Sequence, residues 1–364
     1  LVEIKKQAMK EADRMRKDHK LDAVATDLRE DEILWALSTP SVWDDTARGA
    51  FKECAVNAGM INHVIGLEPE FALFCMVKSD EAEFLQTENR KYLVLDCGGG
   101  TTDATCVETN DGSELAEVIP RDGRELGSLM IDEQYYKMLE EIFGKEFMSA
   151  FKKEQPHQWN TLERNFWKAK HLVDPEKYAE SGCRVEIPAA FWSRLEAHAK
   201  NGDVDEKEDA FENYVAEQCK KYSARFGSEE HVVYDEEGRN LTLSITIWHA
   251  LHKQLLDQIC VFVKELLDAD DKGCTCGACI KDDKEGHAIL VGGLSQSAFL
   301  QKRLRETFSK RISFDSAPNA SLSVVIGGLF WAYNRDHYSR RMWLTYGFEV
   351  EREWHPGDDK MNRH

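Results

Sequence analysis

Apolar residues recur along this chain in two periods, one helical and one alternating. Val2, Ile4, Ala8, Ala12 and Met15 return near helical spacing among many charges, which predicts an amphipathic helix over residues 1–17. The run EILWALSTP reads as a short strand closed by Pro40. Asp44 and Asp45 then open a helix whose apolar face is Ala50, Phe51, Cys54, Ala55 and Ala58, with Gly59 suited to its C′ position. MINHVIG predicts a strand, and EPEFALFCM a loop entering a helix. YLVLD predicts a buried strand, and the β-branched DATCVET a second one. Residues 126–180 read as largely helical, and residues 200–240 as a charged, solvated elaboration. Leu251, Leu255, Ile259 and Phe262 mark the core face of a long helix, WHALHKQLLDQICVFVKELL. AILVGGLSQSAFLQKRLRETF predicts a strand, a Gly-Gly turn and a helix capped near Ser295, with Phe299, Leu300, Leu304 and Phe308 as its stripe. SLSVVIGGLFWAYN is apolar on most sides and predicts a buried helix. The chain shows no repeat at solenoid periods.

Composition narrows the class. With 364 residues, 42% of them hydrophobic, the chain can bury two or three cores and is not a disordered tail. No apolar stretch reaches the length of a membrane span, and LVEIKKQAMKEADRMRKDH is not a signal peptide. A net charge of −19 repels phosphate backbones and argues against nucleic acid as a partner. A single nucleotide remains admissible, because backbone amides can hold it locally. Most of the ten cysteines, including Cys54, Cys75, Cys106 and Cys260, lie in apolar stretches as small hydrophobes, which fits a cytoplasmic protein better than a disulfide framework. Cys274, Cys276 and Cys279 read either as a surface-loop cluster or as part of a zinc site, with no fourth ligand nearby at the usual spacing. The abrupt start on a mid-domain helix, without an initiator methionine, reads as a fragment of a longer protein.

The stretch DCGGGTTD, residues 96–103, places three glycines between two carboxylates. Taken alone it is either a tight turn or a place where something approaches the backbone closely. Gly292-Gly293, taken alone, could be simple strand-to-helix packing. A Walker loop or a dinucleotide fingerprint needs a helix after the glycines. Here a strand follows, so any phosphate would be held by the amides of a hairpin.

The order of these motifs is more specific than any one of them. A strand–EPE–helix precedes the glycine hairpin, and a strand–VGG–S–helix follows far downstream. That order resembles an α/β, two-lobed actin-like ATPase of the ribonuclease H-like class, here with an incomplete first lobe. Nearly the whole chain, to about residue 346, is similar to the nucleotide-binding domain of the 70-kilodalton heat-shock (DnaK-type) family, and most to its divergent member-12 branch. STPSVWDDTARGAFKECAVNAGM resembles the family's VPAYFND segment, and LEPEFAL its NEPTAAA connection. LDCGGGTTD resembles the second phosphate motif, and RELGSLMID the LGGEDFD segment, with Gly127 kept and Ser128 in place of a glycine. FWKAKHLV resembles the adenosine-contacting ERAKRTL helix, LVGGLSQSAFLQ the adenosine motif, and LTYG the end of the member-12 branch.

The resemblance implies a division into 1–85 (remainder of lobe I), 86–125 (lobe II core with the phosphate hairpin), 126–252 (an elaborated subdomain), 253–313 (lobe II core with the adenosine motif), 314–340 (return to lobe I) and 341–364 (start of a linker or substrate region). It implies ATP or ADP with Mg²⁺, and unfolded client proteins and co-chaperones as partners. Gly98, Gly99, Gly100 and Thr101 would face the phosphates; Gly127, Ser128, Trp167, Lys170, His171, Gly292, Gly293, Ser295 and Gln296 would surround the nucleoside. Mg²⁺ takes oxygen ligands and keeps several waters, which suits Asp96 and Asp103; alone, Asp96 reads as a strand-end turn former. Glu68 matches the family's glutamate near metal and attacking water, and the Thr101 hydroxyl can reach a terminal phosphate oxygen. Glu68, Asp96, Thr101 and Asp103 are thus the catalytic candidates.

Three departures qualify the activity. The family's DLGTT-like first phosphate loop and catalytic lysine have no counterpart in these residues. Gln296 stands where the main branch stacks an arginine on adenine. Trp167 replaces a glutamate and His171 an arginine; Trp167 is open to base stacking or to an ordinary half-buried role. The expected function is therefore an ATP-binding, slowly hydrolysing chaperone domain. The alternatives are a nucleotide-binding scaffold without turnover and, with no acceptor motif in its favour, a small-molecule kinase.

Overall fold

The computed structural model describes residues 1–18, 32–78, 91–109, 115–200, 210–235, 240–269, 287–317, 320–334 and 338–339. Helix α1 (Val2–Asp18), strand β1 (Trp35–Thr39), helix α2 (Asp45–Asn57) and strand β2 (His63–Leu67) come first. β1 and β2 pair in parallel, with Trp35 opposite His63. Parallel neighbours need a crossover, which α2 supplies. The Asp44 carboxylate accepts from the Ala47 amide at 2.7 Å to cap α2, and Gly59 at φ 77° follows its end.

The apolar stripes of these first helices are less buried than their periodicity predicts. In α2, Ala55 is buried and Phe51 and Ala58 are half-buried, but Ala50 and Cys54 are exposed. In α1, Val2, Ile4, Ala8 and Met15 face outward, and the helix is tied down by Lys5, whose Nζ donates to the Gly59 carbonyl at 3.0 Å. The helical period is real in both, but no described element lies over those positions.

Helix α3 (Glu68–Lys78) follows β2 directly. Then come β3 (Lys91–Cys97), β4 (Thr102–Thr109), β5 (Leu115–Arg124), α4 (Leu129–Phe143), α5 (Lys145–Glu154) and α6 (Pro156–Leu172). A smaller unit holds β6 (Cys183–Glu186), α7 (Ala189–Lys200), α8 (Ala210–Ser223), β7 (Val232–Asp235) and β8 (Asn240–Leu243). The chain continues through α9 (Ile245–Ala269), β9 (His287–Val291), α10 (Ala298–Phe308), β10 (Ser313–Ser316), α11 (Ser323–Asn334) and β11 (Tyr338–Ser339).

The main sheet runs β10-β9-β3-β4-β5-β11. β9 is parallel to β3 and to β10, while β4 is antiparallel to β3 and β5. This order, with β4 alone running against its neighbours among the described strands, is that of a ribonuclease H-like lobe in an α/β fold. β5 escapes the sequence reading because Pro120 interrupts it. The register slips at Ala104/Cys106 and again at Cys106/Val107, and such bulges accommodate a residue that cannot donate to the ladder.

Residues 200–240 are not purely solvated. Phe211, Val215 and Cys219 of α8 and Val232 and Tyr234 of β7 are buried in the same core as α4 and α9. Their stripe is diluted by the charges on the opposite face of α8. α10 keeps its predicted stripe of Phe299, Leu300, Leu304 and Phe308 but begins later than Ser295. A 3-10 turn at Gly293–Gln296 intervenes, and Ser297 occupies the cap position.

α3 and α11 cross in close contact. A side chain at Gly327 would overlap the Phe71 carbonyl, and one at Gly328 would meet the Phe71 ring. Trp331 packs on Phe71 with ring centroids 5.3 Å apart. The other side of α11 exposes Val325, Leu329 and Phe330, so this helix is buried on one face, not all round.

Candidate functional site

The glycine hairpin is built as the alternation predicts. Asp96 lies opposite Asp103 and Cys97 opposite Thr102 across β3 and β4, and the Gly98 amide closes the loop onto the Thr101 carbonyl at 2.8 Å. None of Gly98, Gly99 and Gly100 takes a positive φ, so the turn itself does not require glycine. A Cβ at Gly99 or Gly100 would enter open space. The glycines instead leave the outer face of the loop bare.

The loop is pinned from behind. The amides of Ser128 and Leu129 donate to the carbonyls of Gly98 and Gly99 at 3.2 and 2.9 Å. The Thr102 hydroxyl donates to the Leu126 carbonyl at 2.6 Å. Gly127 has to be glycine, because a Cβ there would overlap the Gly99 carbonyl. Among the described residues, the amides of Gly99, Gly100 and Thr101 meet no protein acceptor. Three adjacent donors without partners form a concavity for an anion.

Behind the loop lie three carboxylates. Asp96 and Asp103 are buried. Burial first, then the charges of Glu68 and Asp103, push the Asp96 carboxyl up to about 8. Burial and then Asp103 push Glu68, the first residue of α3, up to about 7. Burial also raises Asp103, although hydrogen bonds to its carboxylate oppose the shift. The Val42 amide donates to Asp103 Oδ1 at 3.2 Å, while Oδ2 is buried without a hydrogen-bond partner. A Cβ at Gly123 would crowd Asp103, and one at Gly292, which has φ 83°, would overlap Asp96. Repelling carboxylates and an orphaned acceptor fit a cation in front of them. Among the described residues no three His, Cys, Asp or Glu side chains converge to hold a bare ion.

The hairpin opens onto a cleft of about 290 Å³ lined by Gly99, Ser128, Trp167, Lys170, His171, Gly293 and Gln296, all singled out from the sequence. Ile131, His252, Leu294, Ser297 and Ser321 complete it. Gly292 and Ser295 lie behind the wall: the buried Ser295 hydroxyl donates to the Gly292 carbonyl at 2.7 Å and braces the turn.

Trp167 is 53% exposed and lies against His171, with ring centroids 4.3 Å apart. Lys170 lines the cleft and is also held by the protein. Its ammonium is buried, donates to Asp132 Oδ1 at 2.6 Å and to the Ser128 carbonyl at 3.2 Å, and links α6 to the start of α4. Burial lowers the Lys170 pKa and the Asp132 carboxylate opposes that. Asp132 and His252 were missed in the sequence, Asp132 as one of many acidic residues and His252 as one histidine on a core stripe. The cluster Cys274, Cys276 and Cys279 falls outside the described residues, as does LTYG.

No family model matches the chain. Over 404 aligned positions it is 23% identical to mouse heat shock 70 kDa protein 12A, covering 95% of this chain and 54% of that protein. The human 12A protein gives the same figures. Human heat shock 70 kDa protein 12B is 22% identical over 389 positions, covering 90% and 52%. The chain resembles the member-12 heat-shock-70 proteins. It spans about half the length of these curated relatives. Among solved structures, MreB 5 of Spiroplasma citri bound to AMPPNP aligns with a TM-score of 0.48 and 14% identity, over 83% of this chain and 68% of that one.

The similarity to the member-12 proteins runs through both glycine turns. Chemically, the arrangement offers bare amides for an anion at one end and an exposed indole for a planar group at the other. Buried carboxylates lie behind the amides. Among the described residues no helix is long and apolar enough to cross a membrane.

Proposed function

We propose that this chain is an ATP-binding, slowly ATP-hydrolysing nucleotide-binding domain of a member-12-type heat-shock-70-like chaperone. One observation carries the reading: a single cleft is lined by Gly99 from the hairpin, Gly293 from the second glycine turn, and Trp167 and Lys170 from α6. In this reading the amides of Gly99, Gly100 and Thr101 bind phosphate oxygens, and Trp167 stacks on the base. Asp96 and Asp103 would hold Mg²⁺, and Glu68 would serve the attacking water. The metal, when bound, neutralises phosphate charge. Client proteins and co-chaperones belong to the same proposal for the whole protein, as does a cytosolic place, which the free thiols of the described cysteines support.

A second reading, a nucleotide-binding scaffold without turnover, is favoured by Lys170. It is the only lysine or arginine among the described residues lining the cleft, and Asp132 already neutralises it. Developing charge on a transferred phosphoryl group thus meets no free cation there.

Calorimetry with ATP, ADP and a non-hydrolysable analogue, with and without Mg²⁺, joined to a phosphate-release assay on the chain extended upstream, tests both. Magnesium-dependent binding with slow release supports the chaperone-type ATPase. Binding without release selects the scaffold, and no binding overturns both.

A further inference from the structure

We propose that the nucleoside end of the cleft requires a planar base but does not tell adenine from guanine, so that the chain takes purine nucleoside triphosphates as a class. The inference rests on the nucleotide reading above and adds to it the range of bases accepted.

Discrimination between the two purines has a physical requirement. Adenine carries an amino donor where guanine carries a carbonyl acceptor. A site rejects the wrong base strongly only when a polar group that is buried and fixed is left without a partner. A group that can rotate serves either base, and an exposed group left unmatched keeps its water.

The fixed polar groups of this wall are already engaged within the protein. In the second glycine turn the Gly292 carbonyl accepts from the Ser295 amide at 3.3 Å and from the Ser295 hydroxyl at 2.7 Å. The Leu294 carbonyl accepts from the Ser297 amide at 2.9 Å, and the Ser295 carbonyl from Gln301 Nε2 at 2.9 Å. The Lys170 ammonium is held between Asp132 Oδ1 and the Ser128 carbonyl. His252 is fully buried and stacked on Phe299, so it exposes no polar atom to a ligand.

What the wall leaves accessible is adaptable. Gln296 and Ser321 are exposed, Ser297 is half-buried, and all three line the cleft. The Gln296 amide turns to present either its oxygen or its NH₂ group, and a serine hydroxyl both donates and accepts. Ser297 occupies the cap position of α10, yet its hydroxyl makes no capping bond and stays free to turn. His171 is exposed, so its ring keeps water wherever a base leaves it unmatched. The Trp167 indole, 53% exposed, stacks on any base, because every base has a π-face. The far end therefore rewards planarity, and no buried, fixed side chain there reads the edge of the base.

The experiment measures by calorimetry, in Mg²⁺ buffer, the affinities of ATP, GTP and inorganic tripolyphosphate for wild-type protein and for Gln296→Ala, an exposed position whose truncation leaves the fold intact. A buried, fixed reader rejects the wrong ligand by about 10⁴–10⁵-fold, so its presence is easily seen. The expected result is that ATP and GTP bind wild type with affinities less than about tenfold apart, and that both bind about tenfold more tightly than tripolyphosphate. Gln296→Ala should leave the ratio of ATP to GTP affinity unchanged. A preference of about tenfold or more for either purine, or a change of that size in the ratio in Gln296→Ala, shows that the base edge is read and overturns the proposal, while the nucleotide reading stands. Tripolyphosphate binding as tightly as ATP overturns the requirement for a base. If neither nucleotide binds wild type, this proposal and the nucleotide reading fall together.

Discussion

The two ends of the cleft are made of different material. At the hairpin end, Gly99, Gly100 and Thr101 present backbone amides, held by Gly127 and by the carbonyl bonds to Ser128 and Leu129. At the far end, Trp167, Lys170, His252 and Gln296 present side chains from two helices and a turn. Backbone donors sit where the fold puts them and cannot be altered one at a time. Side chains can be exchanged singly without disturbing the sheet. The hairpin end is therefore suited to a constant part of a ligand, and the far end to setting selectivity.

The largest expected effect breaks the hairpin end. In Gly99→Val the new side chain points into open space, so the fold persists while the branched group covers the amides. Nucleotide binding should vanish in calorimetry with an unchanged melting temperature. In Gly127→Val the side chain overlaps the Gly99 backbone, and overpacking of this kind costs roughly 1–3 kcal/mol. That variant should lose binding and melt earlier. Identical melting of the two would show that Gly127 does not support the loop.

A smaller effect separates charge from support at the far end. Lys170→Met leaves the Asp132 carboxylate largely buried beside an apolar chain. Breaking one partner of such a pair costs about 3 kcal/mol, whereas replacing both is close to neutral. Urea denaturation should find Lys170→Met destabilised by that order and Lys170→Met/Asp132→Leu mostly restored. A double variant as unstable as the single one would contradict the pairing.

Asp96 sharpens the comparison through pH. Its carboxyl is raised to about 8 in the fold, by burial before the charges of Glu68 and Asp103. A raised carboxylate binds more protons folded than unfolded. Its contribution is full below the ordinary carboxylate pKa and is lost as pH rises from about 4 to about 8. Asp96→Asn removes that loss. Thermal melts of metal-free protein should show the variant gaining on the wild type between pH 5 and pH 8, on the order of 1–3 kcal/mol. The same variant should lose magnesium-dependent ATP binding more than metal-free binding. A gap between the melts that does not change with pH would show that Asp96 is already ionised.

What the sequence revealed follows the same division. The hairpin end is written in consecutive residues, DCGGGTTD and RELGS, because a loop and its support are local and glycine has few substitutes. The sheet order follows from the strand–glycine–strand and strand–glycine–helix patterns. The far end was legible only in part. Trp167 and His171 are marked by their neighbours, but the Lys170–Asp132 pair joins residues on two helices, and nothing in the sequence couples them. His252 lies on α9 beside the core residues Leu251 and Leu255, and nothing in the sequence marks it as lining the cleft. β5 was hidden by Pro120, and the exposure of α1 and of one face of α11 cannot be read from periodicity, which reports a face and not what covers it.

The smallest expected effect concerns Trp167, where the two ends can be tested against each other in one series. Its indole is about half exposed, and His171, whose Nδ1 lies 2.8 Å from the Trp167 carbonyl, packs against the ring and fixes its angle. A base stacked on such a ring gains about 1–3 kcal/mol, and an exposed platform belongs at the low end of that range. Trp167→Leu should therefore weaken ATP and GTP alike by about fivefold to tenfold, because every base has a π-face. Inorganic tripolyphosphate carries no base and should bind Trp167→Leu as it binds the wild type, while Gly99→Val should lose tripolyphosphate and ATP together. If Trp167→Leu weakens tripolyphosphate as much as ATP, the indole acts on the phosphates or on the fold, and the division of the cleft into a backbone end and a side-chain end fails.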